Sequence, residues 1–279
     1  MNQKRIVFSN QKGGVGKTTL TRELGIYLAT LGRSVLLIDF DPQANLTRSL
    51  ADDPSAGSGA GGCYEALTGQ RYEQVEVQKN LFLLSGDIKM AVLEKSLIAE
   101  IDAYTRLGEL LEHGSFHPFE YILIDTPPSL GVLTVNALTA AEHLVIPMNP
   151  SLYSMQGTND LMSTVRKVKK GLYPGLGLLG VIINAYDSVP VITRQIRDEI
   201  CSSFGEMVFP SVLSKSIRIE EAIALQSGVM ALQKGRVKDE IIRIGVELVC
   251  RIEGSVPVTP EQHGRVRGAE VLVPSKTEV

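Results

Sequence analysis

A chain of 279 residues with 44% hydrophobic content has room for one large α/β domain or two small ones, and folding at this size buries about 75% of the unfolded surface. Its net charge of −3, with 21% charged residues, excludes an overall basic field, so any contact with nucleic acid has to come from a local patch. Three distant cysteines, Cys63, Cys201 and Cys250, fit a reducing cytosol and exclude a disulfide framework or thiolate metal site.

Histidines 113, 117, 143 and 263 make no ligand cluster, since Gly114 and Pro118 place the first two in a loop. No apolar run approaches 18 residues and no secretory signal opens the chain, so neither export nor membrane spanning is expected.

Arg5-Ile6-Val7-Phe8-Ser9 reads as a buried strand, and Leu20, Leu24, Leu28 and Leu31 follow at helical spacing. Between them lies Gln11-Lys12-Gly13-Gly14-Val15-Gly16-Lys17-Thr18-Thr19, a glycine-rich loop joining strand to helix. Glycines 13, 14 and 16 let backbone N–H groups close on an anion, and the helix N-terminus adds partial positive charge. In such a phosphate cradle Lys17 is a point charge for the outer phosphates and Thr18 a hydroxyl ligand for Mg²⁺. The usual pattern wants glycine at 11, and this chain has Gln11 with a second lysine, Lys12, beside it.

Gly32 closes the first helix, and Val35-Leu36-Leu37-Ile38 suits a parallel strand covered on both faces. It runs into Asp39-Phe40-Asp41-Pro42-Gln43-Ala44-Asn45. Strand periodicity puts Asp39 and Asp41 on one face at the C-terminal edge of the sheet, where ligands of open α/β sheets bind. One carboxylate would then assist a metal shell and the other handle water; an Asx turn with helix capping around Pro42 is the alternative.

Residues 51–62 read as a surface loop, 80–84 as a strand and 88–113 as a helical stretch. Tyr121-Ile122-Leu123-Ile124-Asp125-Thr126-Pro127-Pro128 repeats the strand-then-aspartate design, with Asp125 where a carboxylate would hold Mg²⁺ and two prolines stiffening the loop. Helices are expected over 132–141, 153–172, 189–204 and 237–252, and strands over 143–148, 176–184 and 206–209. The last helix sets Val237, Ile241, Ile244, Leu248 and Ile252 on one face.

Alternating strands and helices imply right-handed crossovers, giving an α/β fold with a mostly parallel twisted sheet flanked by helices on both faces. One domain over 1–253 is expected, followed by an irregular or disordered tail over 254–279, where prolines and glycines forbid a long helix.

With the Lys-Gly-Gly-x-Gly-Lys-Thr-Thr loop, the Asp-x-Asp-Pro-Gln-x-Asn segment at 39–45 and Asp-Thr-Pro-Pro at 125–128, the chain resembles the ParA/Soj partition ATPases over about residues 5–250. Ile146-Pro147-Met148-Asn149, Gly180-Val181-Ile182-Ile183-Asn184 and the stretch from Phe209 to Ala222 extend the likeness.

The resemblance implies a P-loop NTPase fold, ATP and Mg²⁺, with Gly13, Gly14, Val15, Gly16, Lys17, Thr18 and Thr19 on the phosphates. By it, Lys12 reaches across an ATP-bound homodimer, Asp41 positions the attacking water, and Asp39, Asp125 and Thr18 serve the metal. Asn184 and Pro210 match an adenine pocket, a strand-end cap being the other reading of Asn184.

Lys215 and Arg218 match a sequence-indifferent DNA surface, with further cations available at Arg194, Arg197, Arg236, Lys238, Arg243 and Arg251; solvated helix faces are the alternative for each. A cytoplasmic, nucleoid-associated ATPase is implied, slow alone because no arginine finger is evident, and accelerated by a ParB-type centromere-binding partner. Too few residues precede the first strand for a helix-turn-helix extension.

Two other classes compete. A MinD-like membrane-surface ATPase would need a terminal amphipathic helix, which the broken tail opposes, so no stable membrane association is expected. A metabolic enzyme sharing the loop would be an iron-sulfur reductase, for which the cysteines are wrong, or an amidoligase needing a further substrate pocket.

Overall fold

In the computed structural model of the protein, residues 3–50, 61–151 and 154–255 are described, the side chains of 154–156 excepted. The loop expected at 51–62 lies outside them except for Gly61 and Gly62, and so does the tail from 256 onward.

The chain runs β1 (Lys4–Phe8), α1 (Lys17–Thr30), β2 (Val35–Asp39), α2 (Asn45–Leu50), α3 (Cys63–Leu67), β3 (Val75–Gln78), β4 (Leu81–Leu84), α4 (Lys89–Leu97) and α5 (Arg106–Leu111). It continues through β5 (Tyr121–Asp125), α6 (Val132–Thr139), β6 (His143–Met148), α7 (Ser154–Gly171), β7 (Gly177–Ile183), α8 (Val191–Phe204), α9 (Ile217–Ala224) and α10 (Arg236–Glu253). Among the described residues seven strands order as β3-β4-β2-β5-β1-β6-β7, all parallel except the β3–β4 pair.

The apolar runs behave as both-face-covered strands should. Ile6, Phe8, Leu37 and Leu123 pack on one face with α1 and α10, while Val7, Leu36, Ile38, Ile122 and Ile124 pack on the other with α4 to α8. Alternation of period two thus feeds two separate cores. A close approach of α1 to the sheet needs Gly25, where a Cβ would stand 2.5 Å from Leu37 Cδ2.

β1 lies between β5 and β6, so the connections leaving it and β5 run to opposite sides of the sheet. That reversal opens a crevice at the C-terminal ends of these strands, where the glycine-rich loop follows β1.

Some expectations fail for visible reasons. The stretch 88–113 is two helices, α4 and α5, separated by turns over 98–105, and beside the second the buried Asn136 of α6 accepts from Leu107 N at 2.7 Å and donates to Ala103 O at 2.5 Å. Those two backbone groups would have bonded each other in a continuous helix. The strand at 206–209 is a 3₁₀ turn, Gly205–Met207, with one bridge from Val208 to Val181. Arg251 donates to the carbonyls of Glu206, Met207 and Val208, so these groups face a guanidinium. Leu31 falls beyond the last turn of α1 and is 53% exposed.

Candidate functional site

The loop after β1 is shaped by two left-handed glycines, Gly14 (φ 70°) and Gly16 (φ 91°). At Gly16 a Cβ would also stand 2.0 Å from Asn184 Nδ2, so only glycine fits. Three asparagines from neighbouring strand ends pin the loop. Asn10 accepts from Lys12 N at 3.0 Å and donates to Pro147 O at 2.7 Å, Asn149 donates to Gly14 O at 2.8 Å, and Asn184 donates to Val15 O at 2.9 Å.

A cavity of about 720 Å³ opens over this loop, lined by Gly13, Gly14, Gly16, Lys17, Thr18 and Thr19, and by Asp41, Gln43, Asn45, Pro128, Asn184 and Ile223. Arg22, Arg48 and Ser49 complete its wall. This size is within the ordinary range for small-molecule sites.

Beneath the cavity the charges are buried. Asp39 and Asp125 are Cα partners on adjacent parallel strands, and both are fully buried. Thr18 Oγ1 donates to Asp125 Oδ2 at 2.6 Å, whereas Asp125 Oδ1 is buried with no hydrogen-bond partner. Burial, and then the Asp39 carboxylate, push Asp125 well above the ordinary carboxylate range.

Asp39 is better satisfied. Its Oδ2 accepts from Thr47 N at 2.8 Å and Thr47 Oγ1 at 2.7 Å, yet burial still pushes its pKa up to about 6. Lys17 is buried beside them; burial draws its ammonium below the ordinary value, while Asp125 and Asp41 pull it back up.

An unpartnered buried carboxylate oxygen next to a hydroxyl is a hard-oxygen donor set, which suits Mg²⁺. Among the described residues no three His, Cys, Asp or Glu side chains form a metal cluster.

Of the residues expected at a nucleotide, the loop, Lys17, Thr18, Asp41, Asp125 and Asn184 come together. Asp41 accepts from Gln43 N at 2.9 Å, so the turn around Pro42 forms while its carboxylate still lines the cavity. Lys12, next to the cavity-lining Gly13, does not itself line the cavity, and its Nζ donates to Ser151 Oγ. Pro210 is exposed and does not line this cavity; the apolar Ile223 of α9 does.

Lys215 and Arg218 are exposed on either side of Ser216, which caps α9 by accepting from Arg218 N. Arg197 lies over the Tyr186 ring, whose backbone carbonyl accepts from Lys215 N, so α8 adds a cation nearby. Arg251 and Lys238 are committed elsewhere: Arg251 to four carbonyls, Glu247 and the Phe209 ring, Lys238 to the carbonyls of Met230 and Leu232. No helix among the described residues is long and apolar enough to cross a membrane.

Sequence reasoning missed Arg22 and Arg48. Arg22 is fully buried in α1, paired with Glu23 and donating to Ser49 O and Ala222 O, and Glu23 accepts from Val229 N. A charged pair inside an apolar helical run was its one signal. Arg48, on a short helix with no apolar periodicity, had none.

Residues 3–177 match the AAA domain family. The chromosome-partitioning ATPase Soj of Thermus thermophilus is 37% identical over 222 residues, covering 78% of this chain and 84% of that protein. The chromosome partitioning protein ParA of Caulobacter vibrioides is 35% identical over 222 residues, covering 78% and 82%. Among solved structures, cobyrinic acid a,c-diamide synthase from Mycobacterium smegmatis, with bound ATP analogue and magnesium, superposes at a TM-score of 0.79 with 28% identity, covering 91% of this chain and 97% of that one. Likeness of this extent, on a sheet that carries its glycine loop at the point of reversal, makes the chain a member of the ParA/Soj family of partitioning ATPases.

Proposed function

We propose that this ATPase is Mg²⁺-dependent, pairs with a second copy of itself when ATP is bound, holds nonspecific DNA as that pair, and segregates or positions plasmid or chromosomal DNA. What supports it above all is the meeting of a left-handed glycine loop, a buried lysine and an orphaned buried carboxylate oxygen in one cavity. Partitioning ATPases among its relatives give the cellular role.

In this reading the backbone N–H groups of the loop and Lys17 hold the phosphates, and Thr18 and Asp125 hold the cation. Mg²⁺, when bound, neutralises charge developing on the phosphate oxygens. Asp39, its oxygens taken by Thr47 and Asp41 N, supports the acidic floor from behind. Asp41 orients water, and Asn184 with Ile223 flanks the base. Lys12 leaves Ser151 for the phosphates of the second copy. Lys215 and Arg218, with Arg197 close by, carry DNA, and pairing doubles that patch; log affinity falls by about 0.9 per neutralised phosphate per log unit of salt. A ParB-type centromere-binding protein accelerates turnover.

DNA binding measured with ATP, ADP and no nucleotide tests this. Lys12→Ala should lose both pairing and DNA, Asp41→Ala should keep both and stop turnover, and Arg218→Ala should pair without DNA. Equal DNA affinity in every nucleotide state defeats the reading.

An ATP-dependent ligase is the second reading, favoured by the likeness to the diamide synthase. Turnover that answers to a carboxylic acid and an amine donor, and is indifferent to DNA, would select it.

A further inference from the structure

Arg48 stands on α2, in the same segment as Asp41, and its side chain lines the phosphate-loop cavity. It also lines the neighbouring cavity of about 780 Å³ that borders Gly62 and Lys89, so it forms part of the wall between the two. The side chain is exposed and pairs with no carboxylate among the described residues; its hydrogen bond goes to the backbone carbonyl of Gln43.

The other guanidinium of that wall behaves differently. Arg22 is fully buried and held by Glu23, Ser49 O and Ala222 O, so it has no freedom to follow a ligand. A single neutral carbonyl is a weak competitor for Arg48 once a triphosphate enters. A guanidinium gives two parallel N–H donors matched to phosphate oxygens, and charge-assisted bonds of that kind are about twice as strong as neutral ones.

We propose that Arg48 is a nucleotide-binding residue of this site, whose guanidinium leaves the Gln43 carbonyl and pairs with the phosphate oxygens of bound ATP. The inference rests on the cavity being the ATP site. It adds a third cation to Lys12 and Lys17, carried by the segment that also bears Asp41, so filling the cavity would pull that segment towards the phosphates.

The test titrates full-length protein with a non-hydrolysable ATP analogue and Mg²⁺, for wild type, Lys17→Ala, Arg48→Ala, Arg48→Gln and Arg48→Lys, beside melting curves without nucleotide. Arg48→Ala and Arg48→Gln should each weaken the analogue about tenfold or more, with Arg48→Lys recovering part of the loss through its charge. Melting without nucleotide should stay at the wild-type temperature, because the exposed side chain holds only a carbonyl. Wild-type affinity in the Arg48 variants overturns the inference, and so does a lowered melting temperature that Arg48→Lys fails to restore. If wild type itself does not bind the analogue, the ATP site is wrong; if wild type binds, Lys17→Ala does not and the Arg48 variants match wild type, only the role of Arg48 is wrong.

Discussion

The two ends of the central strands treat their charged side chains in opposite ways. At the N-terminal edge, Arg5 donates through Nε to Gln3 Oε1 at 2.8 Å, through Nη2 to Leu111 O at 3.3 Å, and pairs with Glu112 at 2.8 Å. Its backbone N–H donates to Glu142 Oε2 at 3.0 Å, and Gln3 Nε2 donates to Phe116 O and Phe119 O. A cavity of about 490 Å³ sits there too, yet the polar groups around it bond one another. At the C-terminal edge, Asp39 and Asp125 are buried side by side, and one oxygen of Asp125 has no partner. Cavity size does not separate these ends. Satisfaction does: a fold closes its own hydrogen bonds where it only has to fold, and leaves a buried charge exposed to cost where a ligand completes it.

Removing that cost while removing function gives the largest expected effect. Asp125→Asn keeps a side chain that accepts from Thr18 and removes a carboxylate that burial and Asp39 both oppose. ATP turnover should fall by about 10²- to 10³-fold, the loss found when one preorganised electrostatic group is deleted. Unfolding of the nucleotide-free variant should need more denaturant than wild type. A variant both inactive and less stable would mean that Asp125 holds the fold together, and the contrast between the two ends would collapse.

Asp39 sharpens the comparison through pH. Its folded pKa of about 6 lies above the ordinary 3.8, so between those values the folded protein binds more protons than the unfolded chain. Unfolding free energy therefore falls as pH rises through that window, by on the order of 3 kcal/mol for a shift of this size. Other carboxylates titrate there as well, so the readout is the difference between wild type and Asp39→Asn in denaturant unfolding from pH 4 to 7. The variant should lack this share of the slope. Identical slopes would show that the acidic floor bears no cost without ligand.

Much of the C-terminal edge was legible because its chemistry is written in contiguous residues. The glycine loop, Asp39 with Asp41, and Asp125 each follow an apolar run, and a strand followed by a turn delivers its last side chains to one edge. What escaped depends on side chains meeting from afar. The stretch 88–113 breaks into two helices, and Asn136 of α6 takes backbone groups of Ala103 and Leu107 ahead of the second, a contact that no local propensity encodes. The helix α9 meets the site through contacts distant in sequence: Arg22 of α1 donates to Ala222 O, a pairing 200 residues apart, and Ala222 packs in the core that α1 shares. Pro210 lies in a segment bonded along the end of β7, through Phe209 N to Val181 O and Leu213 N to Ile183 O, though it does not itself line the cavity that Asn184 lines.

The smallest effect should come from the satisfied end. Glu142→Ala removes the acceptor of Arg5 N and leaves that partly buried donor without its partner. Losing one such bond costs about 1 to 2 kcal/mol, since the donor forfeits a protein acceptor and regains water incompletely. The distance from this edge to the phosphate loop is the length of β1, and Arg5 keeps Gln3, Leu111 O and Glu112, so the strand should not shift. Turnover should therefore match wild type while the denaturation midpoint drops. A large loss of turnover with little change in stability would place functional strain at the N-terminal edge as well, and hydrogen-bond satisfaction could no longer tell the two ends apart.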